Sequence, residues 1–226
     1  MPTTEFDMRA AAIAIQEWWL FGSQFVDGDV TNLPIKKGPG HHGTAGDESR
    51  LGFKQRTWAY FKFGVFPDSN KWKNFKAEPW SAAFISFCMR ASGAGPNFPY
   101  SVGHHFFVTR AMRNRLTGNT QNRIVAFDKS ETVPAIGDLL WKGRKETANW
   151  TFDDLKQHVQ QGGGSFRSHS DLVVHIDQDE NALYAIGGNI RNRVLRLKAA
   201  VDDNGMLQSS RYAVVVKNNI SEFAVV

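Results

Sequence analysis

The hydrophobic pattern at the start of the chain predicts an amphipathic helix followed by a long loop. From Phe6 to Leu20 the apolar residues recur at helical spacing, and Gly22 ends the pattern. Residues 23–47 are rich in Gly, Asp, Asn, Pro and His, which is typical of a surface loop. We therefore expect residues 1–47 to form an N-terminal extension of one helix and one long loop.

The middle of the chain predicts three further helices, one of which is apolar almost all round. Residues 48–63 and His104–Leu116 have helical patterns, and the apolar helix runs from about Pro79 to Ser92. Proline suits a first helical turn, and Gly93 suits the left-handed residue just past a helix end. Because its side chains are apolar on most faces, this helix should be the buried centre of the domain.

After Asn119 the pattern changes to short β-rich runs separated by turn residues. The runs are 123–127, 136–141, 171–176, 182–186, 194–197 and 212–216. A short helix at about 150–160 interrupts the series. Helices first and strands second predict an α+β fold, in which a helical half packs on an antiparallel sheet of about six strands. We expect a single domain over residues 1–226, with its core at 48–217.

Composition and charge narrow the function classes. The 226 residues carry a formal net charge of +5, which favours polyanionic partners, but no nucleic-acid-binding motif accompanies the scattered basic clusters. We therefore expect no nucleic-acid partner. No apolar run is long enough to span a membrane. The N-terminus lacks the basic start and apolar core of a secretory signal, so we expect synthesis in the cytoplasm.

One polar residue stands at the start of the apolar helix. Ser81 falls in the first turn, where backbone N–H groups lack intrahelical partners and the helix dipole is positive. An activated nucleophile or an oxyanion is stabilised at such a point. The alternative is that Ser81 is only a helix cap or a small packing residue.

A serine nucleophile needs a base, and the chain contains 7 histidines. His169 comes at the start of a strand, after a glycine-rich loop, and Asn189 ends the next strand. A neighbouring amide can hold an imidazole in one tautomer. The order of nucleophile on a helix, then His and a polar residue on successive strands, is that of papain-like peptidases.

Several nearby residues are candidates for supporting roles. Asp171 faces the same way as His169 on its strand, where it supports the imidazolium, contacts a cationic group of the substrate, or is an ordinary solvated or ion-paired carboxylate. His104 either caps its helix or lines a cleft. The single cysteine, Cys88, lies two turns deeper than Ser81, where it is a buried hydrophobe or a replacement nucleophile. Trp80 directly precedes Ser81. A turn residue is the alternative for Asn189.

No cofactor or metal is expected. His41 and His42 lie in a glycine-rich loop, and with Asp47 and His104 they have no recognisable metal-site spacing. A lone cysteine also excludes a Cys-based zinc cluster and an internal disulfide.

The motifs around these residues resemble those of NlpC-type and CHAP-type cell-wall hydrolases. The resemblance lies in Trp80-Ser81-Ala82-Ala83-Phe84-Ile85-Ser86-Phe87, Pro134-Ala135-Ile136-Gly137-Asp138-Leu139-Leu140, His169-Ser170-Asp171-Leu172-Val173-Val174 and Gly187-Gly188-Asn189. With Phe98-Pro99-Tyr100-Ser101 and His104, these segments look like a bacterial family of domains of unknown function, DUF2272, within that superfamily. The resemblance covers roughly Glu48 to Val216. The superfamily has a cysteine where this chain has Ser81.

The resemblance implies a papain-like fold and a bacterial hydrolase that cleaves an amide in peptidoglycan, as an amidase or endopeptidase. Ser81 would attack the carbonyl, His169 would take its proton, and Asn189 would orient the ring. An alcohol gains less from a helix terminus than a thiol does, so Ser81 depends strongly on His169. The implied partners are peptidoglycan or its peptide stems, and an immunity protein.

Two other functions stay open. One is a serine esterase on the same fold, with Phe98, Tyr100, Phe106 and Phe107 lining an acyl groove. The other is a non-catalytic module that binds the cell wall or a partner protein through a degenerate site. By analogy with its class, a small basic hydrolase without a signal peptide would be an antibacterial effector exported by a device such as type VI secretion to the periplasm, or a phage-type lysin.

Overall fold

The computed structural model describes residues 3–28, 33–38 and 45–220, and these form an α+β fold. The α-helices are α1 (Glu5–Leu20), α2 (Leu51–Ala59), α3 (Ser81–Ala91), α4 (His104–Leu116) and α5 (Phe152–Gln160). Helix α2 continues as a π-helical segment, Tyr60–Val65, and short 3-10 turns span Asn70–Phe75, Gly95–Asn97 and Lys145–Thr147. None of the described helices is long and apolar enough to cross a membrane.

The strands form one mixed sheet of eight, in the order β2-β1-β7-β6-β5-β4-β8-β3. They are β1 (Gln24–Val26), β2 (Lys36–Lys37), β3 (Ile124–Asp128), β4 (Leu139–Gly143), β5 (Ser168–Asp177), β6 (Ala182–Ile190), β7 (Arg193–Ala200) and β8 (Val214–Asn218). Neighbouring strands are antiparallel except β1 and β7, which are parallel.

The prediction of about six strands in an antiparallel sheet was therefore wrong in number and in type. All six predicted runs are strands, but β1 and β2 come from the segment that was predicted as a loop. These two strands have three residues and two residues. Strands so short show no alternating pattern of apolar and polar residues, because they are defined by pairing with a distant partner.

Helix α1 belongs to the same hydrophobic core as the central helix. Thr4 and Asp7 form a capping box at its start. Its buried face includes Phe6, Ala10 and Trp18, and it packs against α3 and β5. The N-terminal helix is thus built into the core that surrounds the site.

A buried carboxylate, Glu17, ties α1 to the segment that follows. Its side chain accepts hydrogen bonds from Nε of Arg56 at 2.8 Å and from the hydroxyl of Tyr60 at 2.7 Å, and Nη2 of Arg56 completes the ion pair. We call these three residues the Glu17 cluster. Both oxygens of the carboxylate have partners, as a buried charge requires.

Helix α3 is the buried centre that the sequence predicted. Most of its side chains are buried, and Gly93 has the predicted left-handed φ, at +93°. Gly64 lets the π-helical segment approach this helix, because a Cβ there would lie 2.6 Å from the backbone nitrogen of Phe87. Helix α3 is therefore packed closely between the π-helical segment, α1 and strands β5 and β6.

Candidate active site

Ser81 is the first residue of α3, and its side chain does not cap the helix. The N-cap is Trp80, and the cap position makes no side-chain hydrogen bond to the helix. Instead, Oγ of the buried Ser81 lies 2.6 Å from Nε2 of His104. The hydroxyl is thus held by an imidazole, which is the arrangement that activates a serine nucleophile.

His104 reaches Ser81 because two hydrogen bonds fix the loop that precedes α4. The hydroxyl of Ser86, in α3, donates to the carbonyl of Ser101 at 3.0 Å and accepts from the Ser101 backbone N–H at 3.0 Å. His104 then begins α4 and is buried, with its ring edge-on to Phe107. From the sequence, only a supporting role was expected for this residue.

His169 lies in the site, but in the part of the chain that the structure describes it does not form the predicted hydrogen bond with Ser81. Nε2 of His169 bonds Oδ1 of Asp171 at 2.8 Å, and Nδ1 has no partner among the described residues. Because residues two apart on a strand face the same way, Asp171 meets the ring first. The centroid of the His169 ring lies 5.1 Å from that of His104.

Asp171 is buried and held ionised by its neighbours. Its Oδ2 accepts a hydrogen bond from the hydroxyl of Tyr212 at 2.7 Å, and Nη2 of Arg211 lies 3.5 Å away. Burial would raise the pKa of Asp171, but His169, Arg211 and Lys142 outweigh it and hold that pKa well below its ordinary value. A carboxylate therefore stands behind the His169 ring.

Asn189 does not hold the His169 ring as predicted; that contact belongs to Asp171. Asn189 lies in a bulge of β6, between Gly187 and Ile190, and has a φ of +56°. Gly187 lets the strand pass Asp171, since a Cβ there would overlap Oδ1 of the carboxylate. The bulge changes the direction of the strand at the residue whose side chain was expected to point at the ring.

The electrostatics of the two histidines favour their neutral forms. Burial lowers the pKa of His104 well below its ordinary value, and the nearby His169 lowers it further. Burial also lowers the pKa of His169, although Asp171 opposes this. An uncharged imidazole with a free lone pair is what a general base needs near neutral pH.

The hydrogen-bond network assigns the ring protons. Because Asp171 is ionised, Nε2 of His169 must carry the proton that it donates, which leaves the lone pair on Nδ1. If the Ser81 hydroxyl donates to Nε2 of His104, the proton of His104 is on Nδ1. That nitrogen is also buried without a partner in the described part of the chain. Two adjacent rings therefore present one unused donor and one unused acceptor.

The remaining candidates have structural surroundings. Trp80 is buried against the rings of Phe21 and Tyr60, and its indole N–H donates to the Glu48 carboxylate. Cys88 is fully buried, and burial raises the pKa of its thiol well above the ordinary value. A thiol that does not ionise is a poor nucleophile, so this environment argues against Cys88 as a replacement for Ser81.

Ser81 and His104 open into a cleft of about 600 Å³. Its walls carry positive and negative side chains, among them Arg144, Arg167, Glu78 and Glu146. Phe166 adds an aromatic surface. Among the residues that the structure describes, no three His, Cys, Asp or Glu side chains are grouped as metal ligands. His41 and His42 lie outside the described residues.

Comparison with known protein families gives a match over most of the chain. The model of a family described as uncharacterized proteins conserved in bacteria (DUF2272) matches residues 48–226. No curated protein and no solved structure matches the chain. The matched part begins after α1 and the two added strands, and it contains the whole set of Ser81, His104, His169 and Asp171.

Proposed function

We propose that the chain, which belongs to the bacterial DUF2272 family, is a serine hydrolase of the papain-like type that cleaves an amide bond in peptidoglycan. The observation that carries the proposal is the buried 2.6 Å contact between Oγ of Ser81 and Nε2 of His104 at the start of α3. A hydroxyl and a base in contact, open to a cleft, are the minimum needed for covalent acyl transfer.

In this mechanism His104 replaces His169 as the general base. Ser81 Oγ attacks the substrate carbonyl while its proton passes to Nε2 of His104. The tetrahedral intermediate collapses, the C–N bond breaks, and the protonated imidazole gives that proton to the leaving amine. Water then attacks the acyl-serine with His104 again as base, which releases the acid and restores the hydroxyl.

The first turn of α3 supplies donors for the oxyanion. The N-cap residue, Trp80, makes no side-chain hydrogen bond to the helix, and the backbone N–H of Phe84 makes the first intrahelical hydrogen bond, to the carbonyl of Trp80 at 2.9 Å. The N–H groups of residues 81–83 precede that bond, at the positive end of the helix dipole. Donors fixed there stabilise the negative oxygen as it develops, without having to reorganise.

His169 and Asp171 act as positioning residues for His104. When His104 takes the serine proton, Nδ1 of His169 offers a lone pair and Asp171 a negative charge to the new imidazolium. The ring centroids are 5.1 Å apart, close to the separation of about 5 Å that an N–H···N bond between two imidazoles requires. Catalytic hydrogen bonds often tighten only when substrate binds.

The choice of a peptidoglycan amide rests on the resemblance to cell-wall hydrolases, and the fold is consistent with it. The nucleophile begins a buried helix, and α3 packs against β5 and β6. Strand β5 carries His169 and lies in the antiparallel part of the sheet. This is the arrangement of parts expected for the papain-like type.

An ester is the second candidate substrate. The large apolar side chain of Phe106 is 55% exposed and lies beside Tyr100 in a groove next to the cleft. An exposed aromatic surface at that place suits an acyl chain as well as a peptide side chain.

The test starts with a fluorophosphonate probe, which reacts with activated serines. Wild-type protein should be labelled at Ser81, and Ser81→Ala should not be labelled. Digestion of purified peptidoglycan with muropeptide analysis, beside a lipid-ester assay, then separates amide from ester hydrolysis. Hydrolysis that survives in Ser81→Ala would overturn the mechanism, and a wild-type protein with neither labelling nor hydrolysis would be a binding module.

A further inference from the structure

A second groove joins the catalytic cleft. It has a volume of about 670 Å³, and His105 and Ser165 line both the groove and the cleft. Three arginines, Arg90, Arg110 and Arg113, line the groove beyond that junction. A substrate bound at Ser81 can therefore continue into a basic channel.

The groove has positive charge with no acidic side chain to balance it. No Asp or Glu is among its lining residues. Arg110 and Arg113 are exposed, lie three residues apart on one face of α4, and form no ion pair within the described residues. Two adjacent guanidinium groups without a carboxylate partner are suited to bind an anion, because each presents a fork of donors.

One wall of the groove is aromatic, and Arg90 holds it in place. The guanidinium of Arg90 lies 3.7 Å from the centre of the Tyr100 ring, and its Nε donates to the carbonyl of Gly64 at 2.9 Å. The Tyr100 hydroxyl is buried and has no hydrogen-bond partner in the described ranges. Together with Phe106 and Val65, this wall gives the groove apolar surface between its charges.

Helix geometry gives the axial separation between the arginines and His104. Arg110 and Arg113 follow His104 by six and nine residues, which is a rise of about 9 Å and about 14 Å along α4. An extended peptide advances about 3.3 Å per residue. The axial rise alone corresponds to about three to four residues of an extended peptide, so the arginines lie several peptide residues away from the bond that Ser81 would attack.

We propose that this groove is a subsite for a carboxylate of the substrate, several residues from the scissile amide, so that the enzyme selects an acidic peptide. The proposal rests on the hydrolase function proposed above. A peptide is favoured over a phosphate polymer because the apolar wall of Val65, Tyr100 and Phe106 matches side chains, and a polyphosphate offers none.

The experiment measures binding without turnover. Ser81→Ala protein is titrated with soluble muropeptides that keep their carboxylates, and with the same muropeptides after carbodiimide conversion of the carboxylates to amides. We expect the acidic peptides to bind at least about tenfold more tightly, and the difference to shrink as salt is raised. Adding Arg110→Gln and Arg113→Gln should remove most of that difference.

The matched control is Lys37→Gln with Lys54→Gln, which removes two exposed charges that do not line the groove. It should keep the full preference for the acidic peptides. Thermal melts of each variant show whether the fold is intact. Equal binding of acidic and amidated peptides, or tighter binding of inorganic polyphosphate than of either, overturns the subsite.

The two proposals fail in different ways. If fluorophosphonate does not label Ser81 but acidic peptides still bind through Arg110 and Arg113, the hydrolase function is wrong and the subsite stands. If Ser81 is labelled and the arginine substitutions change neither peptide affinity nor its salt dependence, the subsite is wrong and the hydrolase stands. Absence of peptide binding in wild-type and variant proteins also overturns the subsite.

Discussion

Two buried polar clusters lie next to the central helix α3, and only one of them is closed, in the sense that all its buried polar groups have hydrogen-bond partners. In the Glu17 cluster both carboxylate oxygens are bonded, to Arg56 and Tyr60. The second cluster runs from Ser81 through His104 and His169 to Asp171, and we call it the Ser81 relay. Both of its rings have an Nδ1 without a partner among the described residues.

The difference indicates which cluster is suited to stabilise the fold and which one is suited to the proposed proton transfer. A closed network lowers the cost of a buried charge and holds its elements together. Unused donors and acceptors in a buried site cost stability, so their presence calls for another explanation. In the mechanism that we propose for the Ser81 relay, a proton that leaves Ser81 would charge His104, and His169 and Asp171 would stabilise that charge.

The largest expected effect on activity comes from removing the proposed general base, His104. His104→Gln should lower amide hydrolysis at least about 10³-fold, because removing a general base that acts together with the nucleophile eliminates most of the catalysis. Rates with muropeptide substrates and the rate of fluorophosphonate labelling of Ser81 measure it.

The control for that change is His175→Gln, which alters an exposed histidine on the same strand as His169. It should leave the rate within about twofold, as expected for a surface substitution away from the site. If His169→Gln lowered the rate as far as His104→Gln while His104→Gln kept labelling, the base would be His169.

The next effect tests the closed cluster. Glu17→Ala should lower the free energy of unfolding by about 2–3 kcal/mol, less than the roughly 3–5 kcal/mol for breaking a fully buried pair. The expected loss of stability is smaller than for a fully buried pair because the Arg56 side chain is 36% exposed and can turn to water. Urea denaturation measures it, and labelling of Ser81 per folded molecule should stay near the wild-type value. Lost labelling at unchanged stability would contradict the comparison.

Sequence patterns predicted the parts of the molecule that depend on local spacing. The apolar run from Pro79 to Ser92 gave α3 within two residues of its ends, and the six β-rich runs are all strands. The two-residue period of a strand also put Asp171 on the same side as His169, where the structure has it.

The partner of Ser81 could not be predicted from such patterns. His104 is 23 residues away and reaches Ser81 because Ser86 bonds Ser101, and these two serines have no distinguishing local signal. Asn189 was expected to face the ring because strands alternate, but a bulge breaks that alternation. A bulge is defined by its partner strand, and therefore by tertiary structure.

A smaller effect tests whether the far end of the Ser81 relay takes part in proton transfer. Asp171→Asn should lower kcat/KM about 10- to 100-fold, since the new imidazolium loses a stabilising charge. That charge acts to raise the pKa of His104 against the effect of burial. Removing it lowers this pKa further, so the acid limb of the pH profile should move to lower pH while the plateau falls.

The pH profile separates this role from a structural one. Asp138→Asn also removes a buried carboxylate, one that accepts hydrogen bonds from Lys217 and from the backbone of Ala135 and Asn218. It should lower stability and leave the acid limb where it is. An acid limb that does not move in Asp171→Asn would limit Asp171 to a structural role.

The smallest expected effect is that of substituting Cys88. This residue shares α3 with Ser81 but lies beside the Glu17 cluster. Its thiol is within electrostatic reach of Glu17 and Tyr60, so it lies beside the closed cluster. Cys88→Ala should keep Ser81 labelling and hydrolysis within about twofold and lower the free energy of unfolding by about 1 kcal/mol, because a small buried group is removed from a packed core. The native thiol should also resist alkylation by iodoacetamide until the protein unfolds, since burial keeps it protonated and covered. Loss of hydrolysis in Cys88→Ala, with fast alkylation of the native protein, would transfer the nucleophile to the cysteine and reverse the roles assigned to the two clusters.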